Sequence, residues 1–156
     1  MRLDAIDTQL LQLLQRDSKQ TTKQLSLQLN LSVTAVYERI KKLEREGVIT
    51  SYVALLNKEK VNKGFTVFCH IKLVQHSQEY LTKFENEIAQ LPEVLECFHV
   101  SGDYDYLLKV LVKDIKQFRS FMVNKLTTLK HIGSTQSSFS INEVKNTTTL
   151  PLHAVQ

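Results

Sequence analysis

The spacing of the apolar residues changes near Gly47, and this change constrains the fold more than any other feature of the sequence. Before Gly47, apolar residues recur at helical spacing, as in the stripe Ile6, Leu10, Leu13 and Leu14. After it, β-branched and aromatic runs alternate with amphipathic segments. The sequence therefore predicts three segments: a helical domain at 1–50, a linker strand and turn at 51–60, and a mixed domain at 61–156.

Capping signals divide the N-terminal segment into three helices. Residues 21–24 (Thr-Thr-Lys-Gln) fit a capping box that starts the second helix. Asn30 and Leu31 form a tight turn, Ser32 caps the third helix, and Gly47 supplies a left-handed stop. Helices joined by such short turns, with the last two at helix-turn-helix spacing, predict a compact three-helix unit.

The remainder of the chain alternates strands with helices. The predicted strands are a connecting strand at 48–56, FTVFCHIKLV at 65–74, VLECFHVS at 94–101, YLLKVLVK at 106–113 and SSFSINEVK at 137–145. One helix begins after Ser77 and stops before Pro92, and a second begins at Asp114 and ends at Gly133. The order βαββαβ predicts an α+β chain whose C-terminal domain is ferredoxin-like.

The strand at 106–112 is apolar on both of its faces, and Thr66 and Phe68 add surface on the face away from the helices. Because two helices cover only one face of such a sheet, the other apolar face needs a partner. Residues 146–149 are too polar to supply a third layer. We therefore expect a homodimer that pairs these sheet faces.

The helix after Ser32 carries the strongest local signal for nucleic-acid binding. Its buried stripe leaves short and cationic side chains facing outward, as a helix in the major groove requires. The candidates are Thr34, Ala35, Tyr37 and Glu38 for base edges, Lys23, Arg39, Lys41 and Lys42 for phosphates, and Ser32 at the helix start. Residues 1–60 hold 10 Lys+Arg and 7 Asp+Glu, so they carry +3 of the net charge of +4. The alternative is a solvated helix face in a protein-binding unit.

A second signal lies in the turn at 101–106, where glycine permits a positive φ and two carboxylates stand beside two phenols. Such a turn can hold a zwitterion, with backbone amides facing its carboxylate and Asp105 facing its ammonium. An ordinary hairpin turn fits the same residues equally well. The polar segment 134–138 is otherwise an ordinary polar loop, and it is a candidate for binding only because of what it could face across a subunit contact.

Composition excludes several classes of protein. Only 4 Gly and 2 Pro occur in 156 residues, and no apolar run approaches the ~20 residues of a membrane helix. Two cysteines are too few for a disulfide scaffold, so a soluble cytoplasmic protein is expected. The histidines stand singly and no catalytic spacing or cofactor motif is present, so no metal, cofactor or catalytic site is expected.

Three stretches together resemble the Lrp/AsnC (feast/famine) family of transcriptional regulators. RIKKLEREGVI at 39–49 is similar to the family's DNA-binding half, and PEVLECFHVSGDYDYLL at 92–108 resembles the core of its effector domain. The ending at 144–152 is similar to the family's usual C-terminus. The resemblance runs from about Leu3 to Leu152.

This resemblance implies a winged-helix-like DNA-binding domain and a ferredoxin-like effector domain that forms dimers, tetramers or octamers. It also implies a free amino acid bound between dimers. The implied effector contacts are Gly102, Asp103, Tyr104 and Asp105 of one subunit and Thr135, Gln136 and Ser137 near the facing one. Two alternatives stay open: a sirohaem-decarboxylase-like enzyme of the same architecture, and an amino-acid-sensing module that acts on another protein.

Overall fold

The computed structural model describes residues 2–152, so the last four residues of the predicted C-terminal domain lie outside the described residues. The described chain forms two compact units. Unit 1 contains residues 2–55 and 145–152, and unit 2 contains residues 56–144.

Unit 1 is a three-helix bundle, and its helices are α1 (Ala5–Arg16), α2 (Thr22–Leu29) and α3 (Val33–Arg45). Their facing stripes bury a small leucine-rich core of Leu10, Leu11, Leu25, Val36 and Leu43. The predicted caps are confirmed: Thr21 and Gln24 form the capping box, and the Ser32 hydroxyl accepts the Ala35 N–H at 3.1 Å. Asn30 and Gly47 both adopt positive φ, which lets the chain turn tightly after α2 and α3.

Unit 2 has the predicted order βαββαβ. Its elements are β1 (Phe65–Leu73), α4 (Gln78–Ala89), β2 (Val94–His99), β3 (Tyr106–Val112), α5 (Ile115–Asn124), a 3-10 turn (Leu126–Thr128) and β4 (Ile132–Phe139). The antiparallel sheet has the strand order β2-β3-β1-β4, with β1 pairing both β3 and β4. This confirms the ferredoxin-like α+β architecture.

The two faces of the sheet differ in burial. Alternate residues of β3, beginning with Tyr106, are buried in the core that also contains Phe84 and Phe121 from the helices. The intervening β3 residues are half-buried, and Phe98 on β2 is exposed on the same face, since it pairs with Leu107. This second face, called the open face below, is the one for which the sequence predicts a partner.

The predicted strand at 48–56 is wrong, because no residue between 50 and 56 is in a strand. Val53, Leu55 and Leu56 are exposed there. A strand requires a neighbouring strand for its backbone hydrogen bonds, and none pairs with this segment in the described chain.

The end of unit 2 also departs from the prediction. Helix α5 ends at Asn124 rather than at Gly133, because the Thr127 hydroxyl donates back to the Met122 carbonyl at 2.8 Å and the chain tightens into a 3-10 turn. Strand β4 therefore begins at Ile132, not at residue 137, and Gly133 lies within it. Residues 145–152 leave the predicted C-terminal domain and pack with unit 1.

The returning segment is held against α1 by side-chain amides. Gln15 donates to the Leu150 carbonyl at 3.1 Å and accepts the Leu150 N–H at 2.7 Å. Gln12 donates to the Leu152 carbonyl at 3.1 Å, and Leu152 packs against the core of unit 1. Among the helices of residues 2–152, none combines the length and apolar character needed to span a bilayer.

Candidate DNA interface and effector site

Helix α3 presents most of its predicted DNA-contacting residues on one exposed surface. Val36 and Leu43 are fully buried, and this fixes which side of the helix faces outward. The outer face, as the term is used below, consists of Thr34, Tyr37, Glu38, Lys41 and Lys42, all of them exposed. Ala35 lies half-buried beside it, and Ser32 closes the first turn through its hydrogen bond to the Ala35 N–H.

Two of the predicted phosphate contacts have no ion pair within residues 2–152: Lys42 on α3 and Lys23 on α2. Lys41 is paired with Glu44 at 2.8 Å, and its ammonium lies 5.8 Å from the centroid of the Tyr37 ring. The hydrogen bond to Glu44 raises the pKa of Lys41, so the side chain stays cationic. The outer face thus keeps its positive charge near solvent.

Arg39 is placed differently from the other three predicted phosphate contacts. Its Nη1 donates to Asp4 Oδ2 at 2.8 Å and to Asp7 Oδ1 at 2.6 Å, and both carboxylates belong to the start of α1. The side chain of Asp7 is only 2% exposed, against 28% for Arg39 and 53% for Asp4. Asp4 and Asp7 also form a reciprocal capping box, and the Asp7 N–H, followed by Arg39, lowers the pKa of Asp4.

Sequence reasoning left Arg45 out of the candidate set. Its side chain is 72% exposed and lies 3.8 Å from Glu46, a long and solvated ion pair. Its spacing in the sequence indicates its position, because Arg45 follows Lys41 by four residues and Glu38 by seven. This spacing places Arg45 on the same helix face as those two residues.

The predicted effector turn has the geometry that its glycine allows. Gly102 has φ +121°, and a Cβ there would meet no atom within 4 Å. Gly102 and Asp103 are exposed, whereas Tyr104 and Asp105 are half-buried. The Tyr104 hydroxyl donates to Gln136 Oε1 on β4, and the His70 ring lies 5.1 Å from the Tyr104 ring. Two of the predicted effector segments therefore meet within one chain.

The three predicted residues on β4 do not share one face. His70 pairs with Gln136, Ile71 with Thr135 and Cys69 with Ser137 in the β1–β4 register. Because side chains alternate along a strand, Gln136 lies on the open face with Tyr104, and Thr135 and Ser137 lie on the helix-covered face. The Ser137 hydroxyl is 3.5 Å from the sulfur of buried Cys69.

The carboxylate of Asp105 already has two partners. Its Oδ2 accepts the Leu73 N–H at 2.7 Å, and its Oδ1 lies 2.8 Å from Nε2 of His76. Burial alone would raise the pKa of Asp105, but the hydrogen bonds from Leu73 and His76 and the charge of Lys72 bring it below its ordinary value. His76 was absent from the predicted set, and the residues next to it in the sequence gave no sign of the contact.

Metal-ligating side chains do not gather in groups of three or more anywhere in residues 2–152. The candidate functional surfaces are the outer face of α3 in unit 1 and, in unit 2, the turn at 101–105 with the adjoining part of β4.

Comparison with known proteins gives matches to both units. A family model of a winged helix-turn-helix DNA-binding domain matches residues 3–50, and a model of the Lrp/AsnC ligand binding domain matches residues 66–150. The DNA-binding transcriptional activator DecR of Escherichia coli is 37% identical over 150 residues, which cover 96% of this chain and 99% of that protein. The leucine-responsive regulatory protein of Haemophilus influenzae is 40% identical over 150 residues, which cover 96% of this chain and 90% of that protein.

A solved structure is equally similar. A Neisseria meningitidis transcriptional regulator, determined as a complex with L-methionine, superposes with a TM-score of 0.91 at 35% identity and 96% coverage of both chains. The fold and the matches to known proteins together define the class of this protein. It is a DNA-binding transcriptional regulator with a separate ligand-binding domain. The chain belongs to the Lrp/AsnC family, which confirms the resemblance in the sequence.

Proposed function

We propose that this regulator binds DNA as a homodimer through α3 and that a free amino acid, bound in unit 2, adjusts its affinity for DNA. The observation that carries the proposal is the outer face of α3. It combines short side chains in the first turn with exposed cations later in the helix, in a unit that matches winged helix-turn-helix domains.

The residues of α3 divide into two roles. Thr34, Ala35, Tyr37 and Glu38 read base edges, because they lie in the first turns, where a recognition helix enters the major groove. Lys23, Lys41 and Lys42 neutralise phosphates, which gives affinity without sequence preference. Ser32 holds the first turn in place. Arg39 acts through α1 by fixing the position of α3, and we do not assign it a phosphate.

The homodimer rests on the open face of unit 2. Half-buried Leu107 and Leu111 and exposed Phe98 lie on this face, and a second copy would bury them. A two-fold dimer carries two copies of α3, so the DNA site is a near-palindrome whose half-sites lie about one helical turn, roughly 34 Å, apart. Dimers assemble further into tetramers or octamers.

The effector is a free amino acid. The L-methionine complex of the Neisseria regulator, 35% identical to this chain, supports this ligand class. Gly102 turns backbone amides toward the ligand carboxylate, Asp105 faces its ammonium, and Asp103, Tyr104 and Gln136 line the same region. Thr135 and Ser137 lie on the other face of β4, so they contact the ligand only if it reaches around the edge of that strand. The ligand changes DNA affinity by binding one assembly state more tightly than another.

We also propose that the protein acts by binding and not by catalysis, in agreement with the regulators among its relatives. It works in the compartment that holds the chromosome, the cytoplasm.

Fluorescence anisotropy with a duplex selected from a random pool tests the DNA-binding roles. Lys42→Ala should weaken binding to selected and scrambled duplexes alike and reduce the slope of log affinity against log salt by about 2 per dimer. Thr34→Ala should lower the preference for the selected duplex and leave the salt slope unchanged. Lys83→Ala, which removes an exposed lysine on α4, is the matched control. Equal effects of all three variants, or no binding of any duplex at low salt, would refute the proposal.

A further inference from the structure

The environment of Asp105 restricts how any ligand can reach it. The Asp105 N–H donates to the Ile71 carbonyl at 2.9 Å, and the Asp105 carbonyl accepts the Val100 N–H at 2.9 Å. These bonds fix the backbone at the start of β3. The carboxylate is anchored as well, because the Leu73 N–H lies on the same side of β1 as the Ile71 carbonyl and donates to Asp105 Oδ2 at 2.7 Å.

The remaining oxygen, Oδ1, is covered by a side chain that is itself largely exposed. The Asp105 side chain is 17% exposed, and the His76 ring that meets Oδ1 is 57% exposed. His76 lies in the segment at 75–77, which is neither helix nor strand, between β1 and α4. The imidazole therefore lies on the solvent side of the carboxylate, where rotation of the side chain would uncover Oδ1.

We infer that His76 is a displaceable gate over Asp105: its imidazole occupies the carboxylate oxygen that the ammonium group of an amino acid needs, and the ligand binds by taking its place. This inference rests on the proposed function, because it assumes that Asp105 receives the ligand ammonium. It adds a residue that competes with the ligand.

A positioning role for His76 is the opposite interpretation. In that case the imidazole would hold Asp105 in the correct orientation for the ligand, and its removal would weaken binding. The structure favours the gate, because the Leu73 N–H and the two backbone bonds of Asp105 already fix the carboxylate without His76. The imidazole therefore shields Asp105 Oδ1 from solvent but is not needed to hold the carboxylate in place.

The gate also predicts which ligands respond to it. A ligand with an ammonium group replaces the imidazole as the hydrogen-bond donor to Asp105 Oδ1, so the loss of His76 removes a competitor of the ligand. A ligand without an ammonium group makes no use of Oδ1 and gains nothing. The size of the gain is that of a partly exposed contact between polar side chains, which corresponds to about 1.5- to 5-fold in affinity.

Isothermal titration calorimetry on the full chain tests the gate, with L-methionine as the first probe and the other nineteen standard amino acids after it. His76→Ala should bind the responsive amino acid about 1.5- to 5-fold more tightly than the wild type. His76→Gln, whose amide still donates to Asp105, should lie between the two. Gln78→Ala removes an exposed side chain two residues away and serves as the control.

A second probe separates the gate from a general change in the site. The analogue of the responsive amino acid that lacks its amino group should bind wild type and His76→Ala equally. A melting temperature for each variant shows that it is folded, and a merely structural role for His76 would lower both stability and affinity.

The outcomes are distinct. Tighter binding of the amino acid alone supports the gate. Unchanged or weaker binding by His76→Ala overturns it and leaves the amino-acid proposal standing. If none of the twenty amino acids binds wild type or any variant, the proposed effector function falls, and the gate falls with it.

Discussion

The ion pairs of Arg39 give the sharpest prediction, because they distinguish a cation that is paired within unit 1 from the cations that we propose contact DNA. Arg39→Met removes the charge and keeps most of the aliphatic stem. It leaves Asp7 without the nitrogen that lies 2.6 Å from its Oδ1, in a position that solvent barely reaches. Helix α3 then loses its polar link to the start of α1.

The magnitude follows from burial. Removing one partner of a fully buried ion pair costs about 3–5 kcal/mol, whereas an exposed pair contributes about 0–1 kcal/mol. The Asp7 end of this contact is buried, the Arg39 end is partly exposed, and the Asp4 end is mostly exposed. Asp7 also retains a 3.3 Å hydrogen bond from the Asp4 N–H. We therefore expect Arg39→Met to destabilise unit 1 by about 2–3 kcal/mol.

Hydrogen exchange measured by mass spectrometry on the full chain suits this prediction, because it follows the two units separately. Amides of α1 and α3 should exchange roughly 30- to 150-fold faster in Arg39→Met, and amides of β1 and β3 should not change. Arg45→Met is the matched control, since it removes an exposed arginine from the same helix and should cost less than about 0.5 kcal/mol.

DNA binding supplies the second measurement. Below the temperature at which unit 1 opens, Arg39→Met should keep the wild-type salt slope, whereas Lys42→Ala should reduce it by about 2 per dimer. Two results would refute the reasoning: equal exchange rates in Arg39→Met and Arg45→Met, or a salt slope that falls in Arg39→Met as far as in Lys42→Ala.

Two further predictions concern unit 1. The lowered pKa of Asp4 means that its carboxylate contributes stability above its ordinary pKa of 3.8, and this contribution is lost as the pH falls through the lower pKa of the folded state. The difference in urea midpoint between wild type and Asp4→Asn should therefore be constant near neutral pH and shrink below about pH 4; a constant difference down to pH 2 would contradict it. Gln15→Ala removes both hydrogen bonds to Leu150, so trypsin should cleave after Lys145 faster than in the wild type, and equal cleavage rates would show that these bonds do not hold the tail.

Elements that depend on local signals could be predicted from the sequence. The capping box at Thr21, the cap at Ser32 and the left-handed residue Gly47 all lie where the sequence placed them, because each depends on residues within one turn. The order βαββαβ could also be predicted, since each element carries its own periodicity.

The errors involve partners that are distant in sequence. Strand β4 begins five residues before its predicted start, because its extent is set by pairing with β1 and not by its own polar residues. The segment at 48–56 has strand-forming residues but no partner strand among residues 2–152, so its propensity alone is insufficient. The tail at 145–152 returns to α1 through hydrogen bonds between residues 135 and 140 positions apart in the sequence. No local pattern predicts such contacts.

The candidate sites show the same division. Exposure of Lys42 follows from the periodicity of α3, and a helical wheel is enough to predict it. The side-chain hydrogen bonds of Arg39 are made to Asp4 and Asp7, which lie 35 and 32 residues earlier in the sequence. The hydrogen bond at Asp105 Oδ1 is made to His76, 29 residues earlier. Charge pattern therefore predicts which cationic surface is exposed, but not which of its charges are already paired within the chain.

The arrangement of cations on α3 has a physical reason. A recognition helix must be held in position to read base edges, because the hydrogen bonds that discriminate bases need defined distances and angles. We propose that Arg39 holds α3 in this way, since its Nη1 carries two hydrogens and each meets one carboxylate of α1. Lys42 must remain uncommitted, because a lysine already paired within the protein would release less counterion on binding a phosphate. The helix thus needs both kinds of cation, and exchanging their environments would cost stability at one position and affinity at the other.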